Sequence, residues 1–146
     1  MSPAVSKIVL LSDLRPDHWT GDFVADQARG LNQELQSLAE MLRGRPTLII
    51  HADLPLISPD DIAALLADPL EGCAIAPDRE GTGTNALALR DPSGFAFAFG
   101  VDSFARHLEA AQGGARVVAL KGLGLDIDTP DDLDAAMALG FSIEGR

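Results

Sequence analysis

The chain has 146 residues, with 22 Asp and Glu against 11 Lys and Arg, a formal net charge of −11 and 47% hydrophobic residues. This length and apolar fraction predict one domain with its own core, over residues 1–142. The acidic excess repels a phosphate backbone, and the only lysines are Lys7 and Lys121, so we expect no nucleic-acid binding. No apolar run approaches the ~20 residues that span a bilayer, and the first residues lack a signal-peptide pattern, so we expect a cytoplasmic protein.

The first half of the chain alternates apolar runs with helical patterns. Residues 7–12 and 46–53 read as buried strands, because they are almost continuously apolar. Leucine and alanine recur at three- and four-residue steps from Leu31, which predicts a helix ending near Gly44. A second helix is predicted over residues 58–68, with Ser58 as its N-cap and Pro59 at its first position.

The second half continues the alternation. Strands are predicted at residues 72–77, 85–90 and 116–120, a strand or turn at 95–99, and a short extended piece at 123–128. Helices are predicted at residues 102–114, with Asp102 as cap, and at 129–140, with Thr129 as cap and Gly140 as stop. This order predicts an α/β fold with a mostly parallel sheet and flanking helices. The single Cys73 lies in an apolar run and is expected to be a buried free thiol. Residues 143–146 (IEGR) resemble a protease-site tag and are set aside.

Three acidic residues follow predicted strands and are candidate metal ligands. Asp53 ends one strand, while Asp126 and Asp128 lie two residues apart in an extended piece and therefore point to the same side. Ligands of open α/β sheets bind beyond the carboxyl ends of the strands, and Mg²⁺ prefers carboxylate oxygens. The alternative is that these residues are turn and helix-capping acids.

A loop rich in glycine and threonine, at residues 78–89, is the second candidate. Gly81 and Gly83, with the side chains of Thr82, Thr84 and Asn85, are able to turn N–H and hydroxyl groups toward an anion. The alternative is an ordinary β-turn. The three histidines share no metal-ligand spacing, and no serine lies in a nucleophile-elbow context, so zinc and hydrolase chemistry have little support.

Five segments, in order, resemble the 2-phospho-L-lactate guanylyltransferase (CofC) family, a branch of the molybdopterin-nucleotidyltransferase-like fold. They are GLNQEL (30–35), ADLPLISPDDI (52–62), APDREGTGTNALAL (76–89), FAFGVDSFARHLEAA (97–111) and GLDIDTPDDL (124–133). The resemblance implies a Rossmann-like, mostly parallel sheet. It also implies transfer of GMP from GTP to a phosphorylated three-carbon acid, with release of pyrophosphate, in coenzyme F-420 biosynthesis. Phosphoenolpyruvate, 2-phospholactate and 3-phosphoglycerate are the acceptors used within the family.

The resemblance also implies roles for individual residues. Asp53 would hold the catalytic Mg²⁺, and Asp126 and Asp128 would complete the metal site. Three residues at the start of a helix are similar to part of the nucleotide pocket: Gly30, Leu31 and Asn32. The acceptor's carboxylate or phosphate would be held by Thr84 with its neighbour Asn85, and by Gly100 and Ser103. A helix N-terminus at Ser103 agrees with this role, because it attracts anions.

The sequence departs from the family at its start. Family members begin with a βα unit whose Gly-rich loop cradles the triphosphate, and this chain begins at what resembles the second strand. Three explanations stay open: a late start site or truncated fragment, a homodimer or partner chain that covers the exposed sheet, and a non-catalytic binding or assembly module. Magnesium, GTP and the phospho-acid are thus the expected cofactor and ligands, and catalysis by this chain alone is the open question.

Overall fold

Two neighbouring apolar runs form the centre of the main sheet. The computed structural model describes residues 7–67, 72–127 and 129–138. Within these ranges the elements, in chain order, are β1 (Val9–Ser12), β2 (Asp22–Ala25), α1 (Leu31–Met41), β3 (Thr47–Ile50), α2 (Pro59–Leu65), β4 (Cys73–Pro77), β5 (Thr84–Leu89), α3 (Ser103–Ala110), β6 (Ala115–Val117), α4 (Lys121–Gly124) and α5 (Pro130–Ala138). Strand β5 is buried along its whole length, and β4 at every residue but Pro77, which is why β4 is continuously apolar and β5 is apolar from Ala86 onward.

The sheet is mixed but runs mostly in one direction. Its strand order is β3-β5-β4-β6, with β5 antiparallel to β3 and β4, and β6 parallel to β4. Strands β1 and β2 form a separate parallel pair. The predicted α/β fold with a mostly parallel sheet and flanking helices is therefore confirmed. Strand β5 is reversed because the short connection at residues 78–83 joins only antiparallel neighbours, whereas a parallel pair needs a longer crossover.

The two faces of the sheet bury different side chains, as the two-residue period of a strand requires. One face carries the alanines of β4 and β5, which pack with residues from α2, α4 and the segments beside them: Leu54, Leu65, Val118 and Leu123. The other face carries Cys73, Ile75, Leu87 and Leu89, which pack against α1 and against Phe97. The sheet thus lies between two apolar layers. Cys73 is a buried free thiol, as predicted, and burial raises its pKa to about 11.

Helices α2 and α5 begin at the N-cap residues that the sequence predicts, Ser58 and Thr129. The Oγ of Ser58 accepts from the Asp61 N–H at 3.3 Å, and the Asp61 carboxylate accepts from the Ser58 N–H at 2.9 Å. Thr129 and Asp132 form the same reciprocal pair at the start of α5. Each pair satisfies two backbone N–H donors at a helix start, so both predicted caps are confirmed. Gly140 and the tag-like 143–146 lie outside the described residues.

Removal of the Ser58 cap has a defined expected cost. We expect Ser58→Ala to lower the free energy of unfolding by about 1 kcal/mol, because an N–H at the start of α2 loses its acceptor. The matched variant Ser58→Gly is expected to cost only a few tenths of a kcal/mol, since glycine is tolerated at N-caps. Urea unfolding at constant pH measures both. Equal losses for the two variants would contradict the capping role.

Some local expectations differ from the structure. Residues 95–99 form neither of the two predicted options, a strand or a turn; the turn that the Phe95 N–H closes by donating to the carbonyl of Pro92 precedes this segment. Their alternation reflects the burial of Phe97 against the sheet rather than strand pairing. Of the piece predicted at 123–128, Leu123 and Gly124 belong to α4 and Leu125 is extended, and Asp128 lies outside the described residues. No described helix has the length and apolar character to cross a membrane.

Candidate active site

Beyond the carboxyl end of β3, the main chain of Asp53 is hydrogen-bonded to the segment that carries Asp126. Asp53 follows this strand, and its carbonyl accepts a hydrogen bond from the Ile127 N–H at 3.1 Å. That bond places the residue after Asp126 directly against the main chain of Asp53. The structure therefore brings Asp53 and the Asp126 segment together from positions far apart in the sequence. Asp128 lies outside the described residues.

One carboxylate oxygen at this edge has an unusual environment. The Oδ1 of Asp53 is buried and has no hydrogen-bond partner among the described residues. A buried carboxylate oxygen without a donor is costly, and binding a cation removes that cost. The chemistry of Asp53 and Asp126 fits Mg²⁺, which takes one or two protein carboxylates and leaves its other positions to water and substrate phosphates. Among the described residues, no three His, Cys, Asp or Glu side chains already form a metal-ligand group.

Asn85 connects the strand ends that carry the acidic residues. Its side chain is 3% exposed, and its Nδ2–H donates to the carbonyl of Leu123 at 2.9 Å. The main-chain carbonyl of Asn85 accepts a hydrogen bond from the His51 N–H at 3.1 Å. Asn85 therefore fastens α4, which leads into the Asp126 segment, to the start of β5 and the end of β3. Its direct contact with an acceptor stays a prediction.

A buried chain of polar side chains links β5 to α3. The Oγ of Ser103 lies 3.2 Å from the Oγ1 of Thr84, which in turn lies 2.9 Å from the Nδ1 of His107. All three side chains are at most 3% exposed. Burial, with a smaller contribution from His51, lowers the pKa of His107 to about 4, so this imidazole is neutral at neutral pH. The structure thus brings the predicted residues Thr84 and Ser103 together at the N-terminus of α3.

The backbone before α3 adopts two left-handed conformations. Gly100 has φ of 123°, which only glycine adopts without strain, and its carbonyl accepts from the Ser103 N–H at 3.2 Å. Asp102 has φ of 58° and makes no side-chain hydrogen bond to the helix start. The prediction of Asp102 as the cap of this helix is therefore wrong in mechanism. Asp102 occupies the N-cap position, but its left-handed backbone is not the extended conformation in which a side-chain cap forms.

The segment predicted to meet a nucleotide lies close to Gly100. Gly30, with φ of 95°, is the N-cap of α1, and Leu31 is 42% exposed. The Asn32 amide donates to the Phe99 carbonyl at 3.0 Å and accepts from the Phe99 N–H at 2.7 Å. These two hydrogen bonds hold the start of α1 beside Phe99, the residue that precedes Gly100. The nucleotide and acceptor candidates thus form one contiguous region, and the nucleotide role stays a prediction.

An ion pair that the sequence did not reveal supports this helix start. Glu34 is 2% exposed and accepts hydrogen bonds from the N–H groups of Gln27 and Arg29, and from the Arg29 guanidinium at 2.7 Å. The Arg29 hydrogen bond is the main cause that lowers the pKa of Glu34 to about 2. The result is a fixed turn immediately before Gly30.

The Gly/Thr loop does not present its amides to an anion. The Asp78 carboxylate accepts from the Thr82 N–H at 3.0 Å and from the Gly83 N–H at 2.9 Å. The loop therefore satisfies its own donors, which favours the β-turn alternative over the anion loop. Thr84 and Asn85, at its end, are the residues of this segment that reach the candidate site.

His107 is the residue of this site that sequence reasoning missed. The three histidines share no metal-ligand spacing, so His107 did not stand out in the sequence. It lies four residues after Ser103 on the same helix, and the two side chains therefore share a face. Phe104 and Leu108 of the same helix pack against the core. The four-residue spacing from Ser103 could have indicated that the two side chains share a helix face, but the hydrogen bond of His107 to Thr84 has no signal in the sequence.

The α/β architecture, with acidic residues beyond a strand end and a hydroxyl pair at a helix N-terminus, is consistent with a nucleotidyltransferase fold. A family model described as "Guanylyl transferase CofC like" matches residues 4–144. The chain belongs to this family, which confirms the resemblance carried by the five segments.

Curated relatives carry one shared name. Proteins named phosphoenolpyruvate guanylyltransferase are similar to this chain, with 47% identity over 112 residues in Sphaerobacter thermophilus, covering 72% of the chain and 54% of the relative. The protein from Nocardia farcinica is 43% identical over 131 residues, covering 84% and 56%. That from Geodermatophilus obscurus is 36% identical over 149 aligned positions, covering 95% and 67%. The chain spans about half the length of the first two of these relatives.

Proposed function

We propose that this chain carries the metal and acceptor sites of a guanylyltransferase that joins GMP from GTP to a phosphorylated three-carbon acid. Phosphoenolpyruvate is the first candidate acceptor, because relatives such as the one 47% identical over 112 residues are named for it. 2-Phospholactate and 3-phosphoglycerate are the others. The product would be an intermediate of coenzyme F-420 biosynthesis.

The observation that carries this proposal is the position of Asp53. Its buried Oδ1 has no hydrogen-bond partner among the described residues, and its carbonyl bonds to the residue after Asp126. Together with Asp128, these carboxylates would hold Mg²⁺. When bound, Mg²⁺ would neutralise the charge that develops on the phosphates during transfer.

The acceptor would lie against the start of α3. The buried hydroxyls of Thr84 and Ser103 and the backbone around Gly100 provide uncharged donors at a helix N-terminus, which suits a carboxylate or phosphate. Uncharged donors bind an anion without neutralising it. They therefore leave the acceptor's phosphate oxygen as a nucleophile.

The reaction needs orientation more than proton transfer. An oxygen of the acceptor's phosphate, already deprotonated at neutral pH, forms a bond to the α-phosphorus of GTP. The bond from that phosphorus to the bridging oxygen breaks, and pyrophosphate leaves with the electron pair. No general base is required, in accord with a site built from carboxylates, hydroxyls and a neutral imidazole. The contribution of the protein is in-line positioning of the two substrates.

A second candidate function is a binding module that holds the phospho-acid without transferring GMP. The loop at residues 78–83 adds no phosphate site, because the amides of Thr82 and Gly83 bond to Asp78, so a single phospho-acid at the start of α3 would account for the anion-binding groups described above. Calorimetry with phosphoenolpyruvate and, separately, with Mg·GTP distinguishes the two functions. Binding of both ligands supports the transferase, binding of the phospho-acid alone supports the module, and binding of neither contradicts both.

A further inference from the structure

His107 has a defined place within the candidate acceptor site. Its side chain is 0% exposed and lies between two aromatic rings, with centroid distances of 4.7 Å to Phe99 and 5.8 Å to Phe95. Both ring nitrogens have hydrogen-bond partners. The ring therefore cannot rotate or exchange partners without disturbing the packing of this face of the sheet.

The backbone determines which nitrogen carries the proton. The N–H of Ala98 lies 2.9 Å from the Nε2 of His107 and can only donate. In a neutral imidazole one nitrogen accepts and the other donates. Nε2 therefore accepts from Ala98, and Nδ1 carries the proton and donates to the Oγ1 of Thr84 across 2.9 Å.

With this tautomer, the three polar groups hold one more proton than their mutual hydrogen bonds use. His107 Nδ1–H, the Thr84 hydroxyl and the Ser103 hydroxyl supply three protons, but only two hydrogen bonds join these three groups. Whichever way the bond between the two hydroxyls runs, one hydroxyl proton is left over. Among the described residues neither hydroxyl has a further acceptor. With the other tautomer, Thr84 would donate to His107, Ser103 would donate to Thr84, and no proton would remain.

We propose that His107 is a positioning residue that makes the Thr84–Ser103 hydroxyl pair an outward hydrogen-bond donor for an anionic oxygen of the acceptor. This inference rests on the proposed function for the identity of the ligand, and on hydrogen-bond geometry for the role of the imidazole. A carboxylate or phosphate oxygen accepts without donating, so it is the partner that a leftover proton selects. A ligand ammonium group, which donates but cannot accept, would lack this match at the same place.

The tautomer can be measured without any ligand. Long-range ¹H–¹⁵N correlation spectra of the full chain, labelled with ¹⁵N-histidine and assigned with a His107 variant, distinguish a protonated nitrogen from an unprotonated one. At pH 7 we expect the His107 pattern of a protonated Nδ1 and an unprotonated Nε2. A protonated Nε2 would overturn the proposal.

Two variants separate positioning from packing. His107→Asn places an amide N–H near the position of Nδ1 and keeps a donor for Thr84, but leaves the Ala98 N–H unpaired. His107→Gln places an amide oxygen near the position of Nε2 and keeps the acceptor for Ala98, but removes the donor for Thr84. We expect His107→Asn to bind phosphoenolpyruvate within about threefold of wild type and His107→Gln to bind at least tenfold more weakly. The exposed His18→Gln serves as the histidine control.

Every outcome decides a stated part of the proposal. Equal affinities of the Asn and Gln variants, at equal thermal stability, would show that His107 only packs the helix. If either variant fails to fold, the tautomer of the wild-type chain still decides the proton count. If wild type binds no phosphoenolpyruvate while Nδ1 is protonated, the proposed acceptor is wrong. The orientation of the hydroxyl pair would still be supported, because it follows from the tautomer and not from the ligand.

Discussion

Asp53→Asn is expected to lower the proposed guanylyl transfer from GTP to phosphoenolpyruvate by on the order of 100- to 1000-fold, because Asp53 is the proposed ligand of a Mg²⁺ that would act on the transition state. Asparagine keeps the size of the side chain but loses the charge. Pyrophosphate release at saturating GTP measures the effect. The matched control is Asp17→Asn, an exposed position with the same change in charge, which should retain wild-type activity.

The same position gives a prediction that does not depend on turnover. Without Mg²⁺, Asp53→Ala is expected to raise the unfolding temperature, because it removes a buried oxygen with no hydrogen-bond partner among the described residues. Added Mg²⁺ should stabilise wild type, since a ligand that binds only the folded state adds to its stability, and should not stabilise the variant. Equal Mg²⁺ stabilisation of both proteins would remove Asp53 from the metal site.

The second large effect is on stability at mildly acidic pH. Burial, followed by the nearby His51, lowers the pKa of His107 from 6.5 to about 4. A histidine whose folded pKa is lowered contributes stability above its unfolded pKa, and this contribution is lost as pH falls from about 6.5 to about 4. The full loss is on the order of 3 kcal/mol, and about 2 kcal/mol of it falls between pH 7 and pH 5.

Urea unfolding at pH 7 and pH 5 tests this prediction. His107→Phe, which keeps an aromatic ring among Phe95 and Phe99, should lose most of the pH dependence in this interval, whereas His18→Gln should keep it. The Glu34 carboxylate titrates lower, because its pKa is lowered to about 2, so its stabilisation is lost only as pH falls below about 4.5. A pH dependence in His107→Phe as large as in wild type would assign the effect to other groups.

Local signals in the sequence predicted the elements whose chemistry is local. The Ser58 and Thr129 caps, the buried strands at Cys73–Pro77 and Thr84–Leu89, and the apolar stripe of Leu31–Met41 all depend on residues within one or two turns. Strand β2 and helix α4 have four residues each, which is too short for a recognisable period. Residues 95–99 have a strand-like pattern because phenylalanine alternates with alanine, but this segment pairs with no strand.

The candidate site also contains residues that the sequence indicates and residues whose contacts only the folded structure reveals. Asp53 became a candidate because it follows a strand end, where ligands of open α/β sheets bind. Thr84, which begins β5, and Ser103, which begins α3, became acceptor-site candidates through the family resemblance. The role of His107 depends on Thr84, 23 residues away, and on the Ala98 N–H, so no spacing within one element indicated it. Glu34 likewise reads as an ordinary polar helix residue, and its burial becomes evident only when the turn around Arg29 is folded over it.

The most direct measurement is the mass of the product. The full chain is incubated with GTP, Mg²⁺ and phosphoenolpyruvate, in parallel with Asp53→Asn, and the mixture is examined by mass spectrometry. We predict an ion in which GMP is joined to phosphoenolpyruvate through a new phosphoanhydride bond, with an equal amount of pyrophosphate, in wild type only. Absence of this ion with all three phospho-acids, from a folded wild-type chain that binds both substrates, would contradict the assignment of guanylyl transfer to this chain.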